Sequence, residues 1–236
     1  MAGASTILDD AEQRARWSGF AWTAANAKAA KEIVARYPEG RQASAVIPLL
    51  DLAQRQVGAE TETQGWLPIP VMEYVAAELG MPVIRVLEVA TFYTMFNLEP
   101  VGRFHVQVCG TTPCMLRGSD DLFKACFARG LKKGKTTADG LFTLSEVECL
   151  GACANAPMVQ INDDNYEDLD EHSMGAVLDA LAAGKTPKPG PQVERRTSCP
   201  QGGPTTLKKM AERNYDYRSQ WTDVAGPGAG PAGEGA

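Results

Sequence analysis

The sequence is short of histidine and of positive charge, and it has no long hydrophobic run. Each shortage excludes a class of function. Only two histidines, His105 and His172, occur among 236 residues. Neither lies in a Cys-x-His pair, so a Rieske-type centre, which needs two histidines, lacks its ligands. Lys and Arg number 23 against 29 Asp and Glu, for a formal charge of −6 and a pI near 5.1. That balance argues against nucleic-acid binding, which needs a concentrated basic surface. No apolar run approaches the roughly 20 residues of a membrane helix. The opening stretch MAGASTILDDAEQRARW carries Asp9, Asp10 and Glu12 and has no basic segment followed by an apolar one. It therefore does not read as a secretory signal or an intact transit peptide, and the expected home is a bacterial-type cytoplasm. Cys-x-x-Cys is also missing, which excludes the dithiol oxidoreductases that use such a pair. The tail stretch GPGAGPAG has glycines at tempting spacing, but no strand pattern precedes it and no helix pattern follows. With no dinucleotide fingerprint, any NADH is expected on a partner.

What is present describes a globular chain, 44% apolar and 22% charged. Its length fits one domain with extensions or two small domains. Residues 1–20 read as loosely ordered. Residues 21–37 read as a helix with Ala30, Ile33, Val34 and Tyr37 on one face. A second helix is expected from Ser44 as N-cap, with Val46, Leu49, Leu50, Ala53 and Val57 as its stripe. Pro70 and Gly80 bracket a third helix carrying Met72, Val75, Ala76 and Leu79 inward. Pro82 precedes a fourth, with Val83, Val86, Leu87 and Ala90. Residues 21–97 are thus a helical bundle, onto which FYTMF (92–96) is expected to lock the following sheet.

From about residue 98 the pattern changes. Phe104, Val106 and Val108 alternate, as in a strand. Ser119 is expected to cap a helix through Leu131. Residues 140–149 give a second strand region, a hairpin turns around Asp163-Asp164, and a last helix ends at Gly184. The order β-α-β-β-β-α over 98–185 predicts a small α/β domain with helices on a mostly mixed sheet. The whole is α+β / α/β, closed by a Pro/Gly-rich tail over 186–236 that has no core of its own. That tail is expected to be disordered or laid in extended form on a partner.

Six cysteines in a reducing compartment point to metal or redox chemistry rather than a disulfide framework. Cys109 and Cys114 lie in VQVCGTTPCM, and Cys149 and Cys153 in VECLGACANAP. Both pairs fall at strand ends, with Cys114 in the loop before the first helix and Cys153 in the loop before the next strand. Two strands of one sheet can bring the four sulfurs to one pocket. Structural zinc remains open, although it usually takes closer pairs. A [2Fe–2S] cluster suits the spacing better, since each iron takes two thiolates. The small residues Gly110, Gly151, Ala152 and Ala154 let backbone N–H groups approach the sulfurs. Cys126 shares a helix face with Leu122 and Phe123 and reads as a buried small hydrophobe. Cys199 reads as a nonligand thiol, His105 as a surface or partner-facing residue, and KKGK (132–135) as a solvated turn. Ala156-Pro157 is a candidate cis bond.

The stretches ATFYTMFNLEPVGRFHVQVCGTTPCMLRGSDDL and EVECLGACANAPMVQINDDNYEDL, with RYPEGRQASAVIPLLDLAQRQ upstream, closely resemble the thioredoxin-like [2Fe–2S] subunits of NADH:ubiquinone oxidoreductase, respiratory complex I. SCPQGGPTTL is similar to an extension of alphaproteobacterial and mitochondrial members. The resemblance implies a helical bundle followed by a thioredoxin-like ferredoxin domain, with ligands at Cys109, Cys114, Cys149 and Cys153. It implies a partner flavoprotein subunit carrying FMN, the NADH site and a [4Fe–4S] cluster, and contact with the large iron–sulfur subunit of the peripheral arm. The implied place is the cytoplasmic side of the bacterial inner membrane. The implied task is to take one electron from the reduced flavin and later return it. Two alternatives stand beside it: the equivalent subunit of a soluble NAD-linked formate dehydrogenase or hydrogenase, and a zinc-stabilised interaction module.

Overall fold

The computed structural model describes residues 11–195, 197–200, 202, 203, 205 and 206. Five helices come first: α1 (Ala11–Trp17), α2 (Ala24–Val34), α3 (Val46–Thr61), α4 (Ile69–Leu79) and α5 (Val83–Phe92). The i, i+3, i+4 stripes place their buried faces. Leu49, Leu50, Ala53 and Val57 of α3, Met72, Val75 and Ala76 of α4, and Val86 and Ala90 of α5 form one core. Thr23 caps α2 by accepting from the Asn26 N–H, and Gly80 closes α4 in the left-handed region.

Four local expectations are corrected here. Residues 11–17 are helical, and Trp17 is buried edge-on against Trp66 with ring centroids 6.0 Å apart; residues 1–10 lie outside the described residues. Ser44 does not cap α3, because a 3₁₀ turn over Gln42–Ala45 runs straight into the helix. Ala45 is already helical there, and the extended residue that a serine cap requires does not occur. Ser119 does not cap its helix either. A six-residue helix, α6 (Thr112–Arg117), intervenes, and Gly118 at φ 106° joins it to α7 (Ser119–Ala128). Such a junction between successive helices suits a residue without a Cβ. In FYTMF only Phe96 is buried. Phe92 is 77% exposed, Tyr93 40% and Met95 51%, because Phe92 ends α5 away from its Val86–Ala90 face.

The sheet has strands β1 (Phe104–Cys109), β2 (Lys135–Thr136), β3 (Phe142–Val147), β4 (Val159–Ile161), β5 (Asp164–Glu167) and β6 (Gly190–Pro191). Their order is β2-β3-β1-β4-β5-β6. β1 and β3 are parallel, with Phe104 opposite Phe142 and Cys109 opposite Val147. β4 runs antiparallel to β1 and to β5, and β6 parallel to β5. Val106, Val108, Leu144, Val159 and Ile161 meet Leu122 and Phe123 of α7 and Met174 and Leu178 of α8 (Glu171–Ala182) in a second core. Arg55 of α3 reaches Asp163 of the β4–β5 turn through Nη1 and Nη2 at 2.9 and 3.0 Å, tying helices to sheet.

The start of the tail departs from expectation. Gly190 and Pro191 add to the edge of the chain's own sheet, the Gln192 N–H donates to the Glu167 carbonyl, and the Tyr166 hydroxyl donates to the Pro187 carbonyl. An edge strand tolerates Pro191, which has no N–H to offer. This unit ends at Glu194, and a second begins at Arg195. Residues 207–236 lie outside the described residues.

His105 is likewise not a surface residue. It is 8% exposed, on the sheet face opposite Val106 and Val108, with Nε2 2.8 Å from the Ser145 hydroxyl. Parity along β1 sends it away from the α7–α8 side, and residues Thr143 and Ser145 of β3 lie opposite or nearly so. Loss of solvent lowers its pKa to about 4. The unfolded chain therefore takes up the proton first. The neutral His105 contribution is complete above about pH 6.5 and is lost as pH falls toward 4. Between pH 7 and pH 5 the fold should lose about 2 kcal/mol from this group. Urea unfolding at the two pH values, in the parent and in His105→Gln, checks it: the variant should lack that part of the slope.

Candidate metal centre

Because β1 and β3 are parallel, both release their chains at the same end of the sheet. Cys109 is the last residue of β1, opposite Val147, and Cys149 follows β3 by two residues. From Cys109 the chain turns through Gly110 into α6, which carries Cys114 in its first turn. From Cys149 it turns through Gly151, at φ 84°, to Cys153 at the head of a 3₁₀ turn, then through a cis Ala156–Pro157 bond into β4. Cys114 is thus inside a helix rather than in a loop. The proline that restricts its approach, Pro113, sits in the first turn, where a missing N–H costs least.

Cys109 and Cys114 are each 1% exposed and pack with Ala156 and Met158, flanked by Leu150 and Ala152. Cys149 and Cys153 are exposed, with sulfurs 3.4 Å apart. Cys109 and Cys114 pack together in one buried cluster, so the four thiols stand as two pairs. The pairs also feel one another electrostatically: Cys109 acts on Cys149 and Cys153, and Cys153 on Cys114. Among the described residues, no group of three or more His, Cys, Asp or Glu is placed to hold a single metal ion. Cys126, fully buried in α7, lies in the sheet core, and burial pushes its thiol up to about 12. Cys199 belongs to the second unit.

Backbone N–H groups surround the sulfurs. Those of Thr111 and Leu150 point at Cys109, that of Met158 at Cys114 and that of Gly151 at Cys149. Burial pushes the Cys109 thiol up, but the hydroxyl and N–H of Thr111, the Leu150 N–H and Cys114 together bring it below the ordinary value. The Gly151 N–H, then Cys153, lower Cys149. Cys114 is pushed up to about 12, by burial first and Cys109 next, and Cys153 is raised by its bond to Cys149. Each pair therefore holds one sulfur shifted toward the thiolate beside one shifted toward the thiol. The donors Thr111, Leu150 and Met158 escape a reading of spacing, since their contacts come largely from backbone. Only the two threonines beside Pro113 leave a trace in the sequence.

Residues 30–182 match the thioredoxin-like [2Fe-2S] ferredoxin family, and the chain belongs to it. The E subunit of NADH-quinone oxidoreductase from Rickettsia conorii is 58% identical over 165 residues, which are 70% of this chain and 95% of that protein. Its counterpart in Rickettsia bellii is 55% identical over 165 residues, with the same coverage of both chains. Among solved structures, an NAD+-reducing [NiFe]-hydrogenase in the H2-reduced state overlaps 58% of this chain and 22% of its own, at 19% identity and a TM-score of 0.49.

Proposed function

We propose that this chain is the electron-transfer subunit of an NADH:quinone oxidoreductase, holding one [2Fe–2S] cluster on Cys109, Cys114, Cys149 and Cys153. The observation that carries the reading is the arrival of four thiols, as two pairs, at one end of the sheet. Paired thiolates suit two irons side by side, whereas structural zinc needs all four ligands about one point. The chain's similarity to the two Rickettsia proteins along nearly their whole length supports the assignment to that complex.

Bound there, the cluster supplies storage for one electron at a time. The chain's own residues set the conditions. Cys109 and Cys114, with Met158 and Ala156 packed on them, keep water from one side. The N–H groups of Thr111, Leu150, Gly151 and Met158 offset negative charge on the sulfurs, which reduction increases. Cysteine thiols give up their protons on loading, so assembly is favoured as pH rises. No helix among the described residues is long and apolar enough to cross a membrane. The electron donor is the FMN of a flavoprotein subunit, which also holds NADH and a [4Fe–4S] cluster. The large iron–sulfur subunit of the peripheral arm adjoins, on the cytoplasmic side of the inner membrane. The helical part over 21–97, the ferredoxin part over 98–185 and the tail over 186–236 form its working divisions, with the ligands confined to the second.

Purification of the intact assembly through a tag on this chain tests the whole reading. The expected preparation contains flavin, quinone-reducing membrane subunits and the EPR signal of a reduced binuclear cluster assignable to this chain. A colourless preparation holding zinc, or recovery with soluble dehydrogenase subunits alone, would overturn it.

A further inference from the structure

Thr111 stands where a threonine ordinarily works for its helix, and it does not. It is the N-cap of α6, with extended backbone (φ −79°, ψ 169°), yet its side chain accepts no helix N–H. The neighbouring residues explain why. An N-cap hydroxyl accepts from the second or third helical residue, and here the second is Pro113, which has no N–H. The hydroxyl turns instead to sulfur: Oγ1 lies 3.4 Å from Cys109 Sγ. It also favours the thiolate of Cys149, in the loop after β3.

We propose that Thr111 is a positioning residue for the cluster, its hydroxyl donating to the sulfur of Cys109 and holding the reduction potential up. This rests on the ligand set given above. With metal bound, the Cys109 sulfur carries no proton, so the hydroxyl can only donate. A donor stabilises the more negative state more, and reduction adds one electron, from the partner's reduced flavin, to a centre these sulfurs already make negative. Thr111→Val keeps the shape and removes the donor. Thr111→Ser keeps the donor and removes a methyl group.

The experiment is a redox titration of the binuclear EPR signal in the purified complex carrying parent, Thr111→Val or Thr111→Ser chains, with iron content measured on each. In the valine variant, the ratio of reduced to oxidised cluster at a fixed potential should fall about tenfold, equivalent to 59 mV for one electron. The serine variant should stay within about twofold of the parent. If valine prevents assembly, retention of iron by serine alone supports the hydroxyl's role, and loss of iron in both overturns it. A valine midpoint equal to the parent's, or equal shifts in both variants, also overturns the inference while leaving the ligand assignment intact. A parent chain without any binuclear signal defeats the ligand assignment itself, and this inference with it.

Discussion

Cys149→Ser chains are expected to lose the reduced binuclear signal by more than about tenfold, and most of their iron, while remaining folded. Cys149 is exposed, and its sulfur meets Cys153 at 3.4 Å. Serine nearly matches it in size but offers a hard, scarcely ionised hydroxyl where iron–sulfur chemistry takes a soft thiolate. One iron then keeps a single thiolate, from Cys153, and the exposed side of the site opens to solvent. Compared as cluster-free chains, the variant and the parent should unfold alike, as expected of a surface substitution away from core and caps. Cys126→Ala reverses the pattern. It leaves the signal at the parent level and costs roughly 1–2 kcal/mol, because a fully buried sulfur is removed from the α7 packing. Iron analysis, EPR and urea unfolding on the two variants separate ligand from filler. A Cys149→Ser chain with a full parent signal would move the ligand set elsewhere.

The features legible in the sequence are those with a period or a fixed spacing. The stripes of α3, α4 and α5 follow i, i+3, i+4, and their residues are the helical core. β1 shows through alternation, and the β4–β5 hairpin turns at Asn162 and Asp163, one residue before the expected Asp163-Asp164, because Asp164 already pairs with Ile161 in β5. The two cysteine pairs stand out because both follow strand ends, and parallel neighbours release their chains on one side.

The features hidden from the sequence depend on neighbours in space. α1 is seven residues with Glu12, Arg14 and Arg16, and only the partner Trp66 shows why Trp17 is buried. β2 and β6 have two residues each, too few to carry a period. α6 begins with Thr-Pro and looks like a loop until Gly118 is seen to separate it from α7. His105 looks exposed by pattern because alternation says which residues oppose the main core, not whether the other face is open; there the Ser145 hydroxyl meets its ring. At the candidate metal centre, the cysteines are visible in the sequence, but the N–H groups aimed at them are not, since any residue supplies the same backbone donor.

The largest expected loss of stability from a single methyl group is at Gly65. Its φ is 82°, and a Cβ built there would lie 2.0 Å from the Gln54 carbonyl oxygen in α3 and 2.9 Å from the Gly58 nitrogen. Both are helix backbone, which cannot step aside as a side chain can. The approach is close because residues 64–67 lie along 95–102. The Leu67 N–H donates to the Asn97 carbonyl, the Gln64 N–H to the Gly102 carbonyl, and Asn97 Nδ2 to the Gly65 carbonyl. Gln54 joins the same knot, its Oε1 accepting from the Asn97 N–H at 2.7 Å and its Nε2 donating to the Met95 carbonyl at 3.2 Å. These bonds hold the segment that delivers the chain from α5 to β1, and relieving the clash means breaking several of them. Gly65→Ala should therefore cost more than about 4 kcal/mol. Gly80→Ala supplies the control: its φ is 61°, yet a Cβ there meets nothing within 4 Å, so only the backbone preference is lost, about 1 kcal/mol. Urea midpoints at unchanged slope measure both. A Gly65→Ala chain as stable as Gly80→Ala would mean that α3 and the 64–67 segment do not approach as closely as the fold requires.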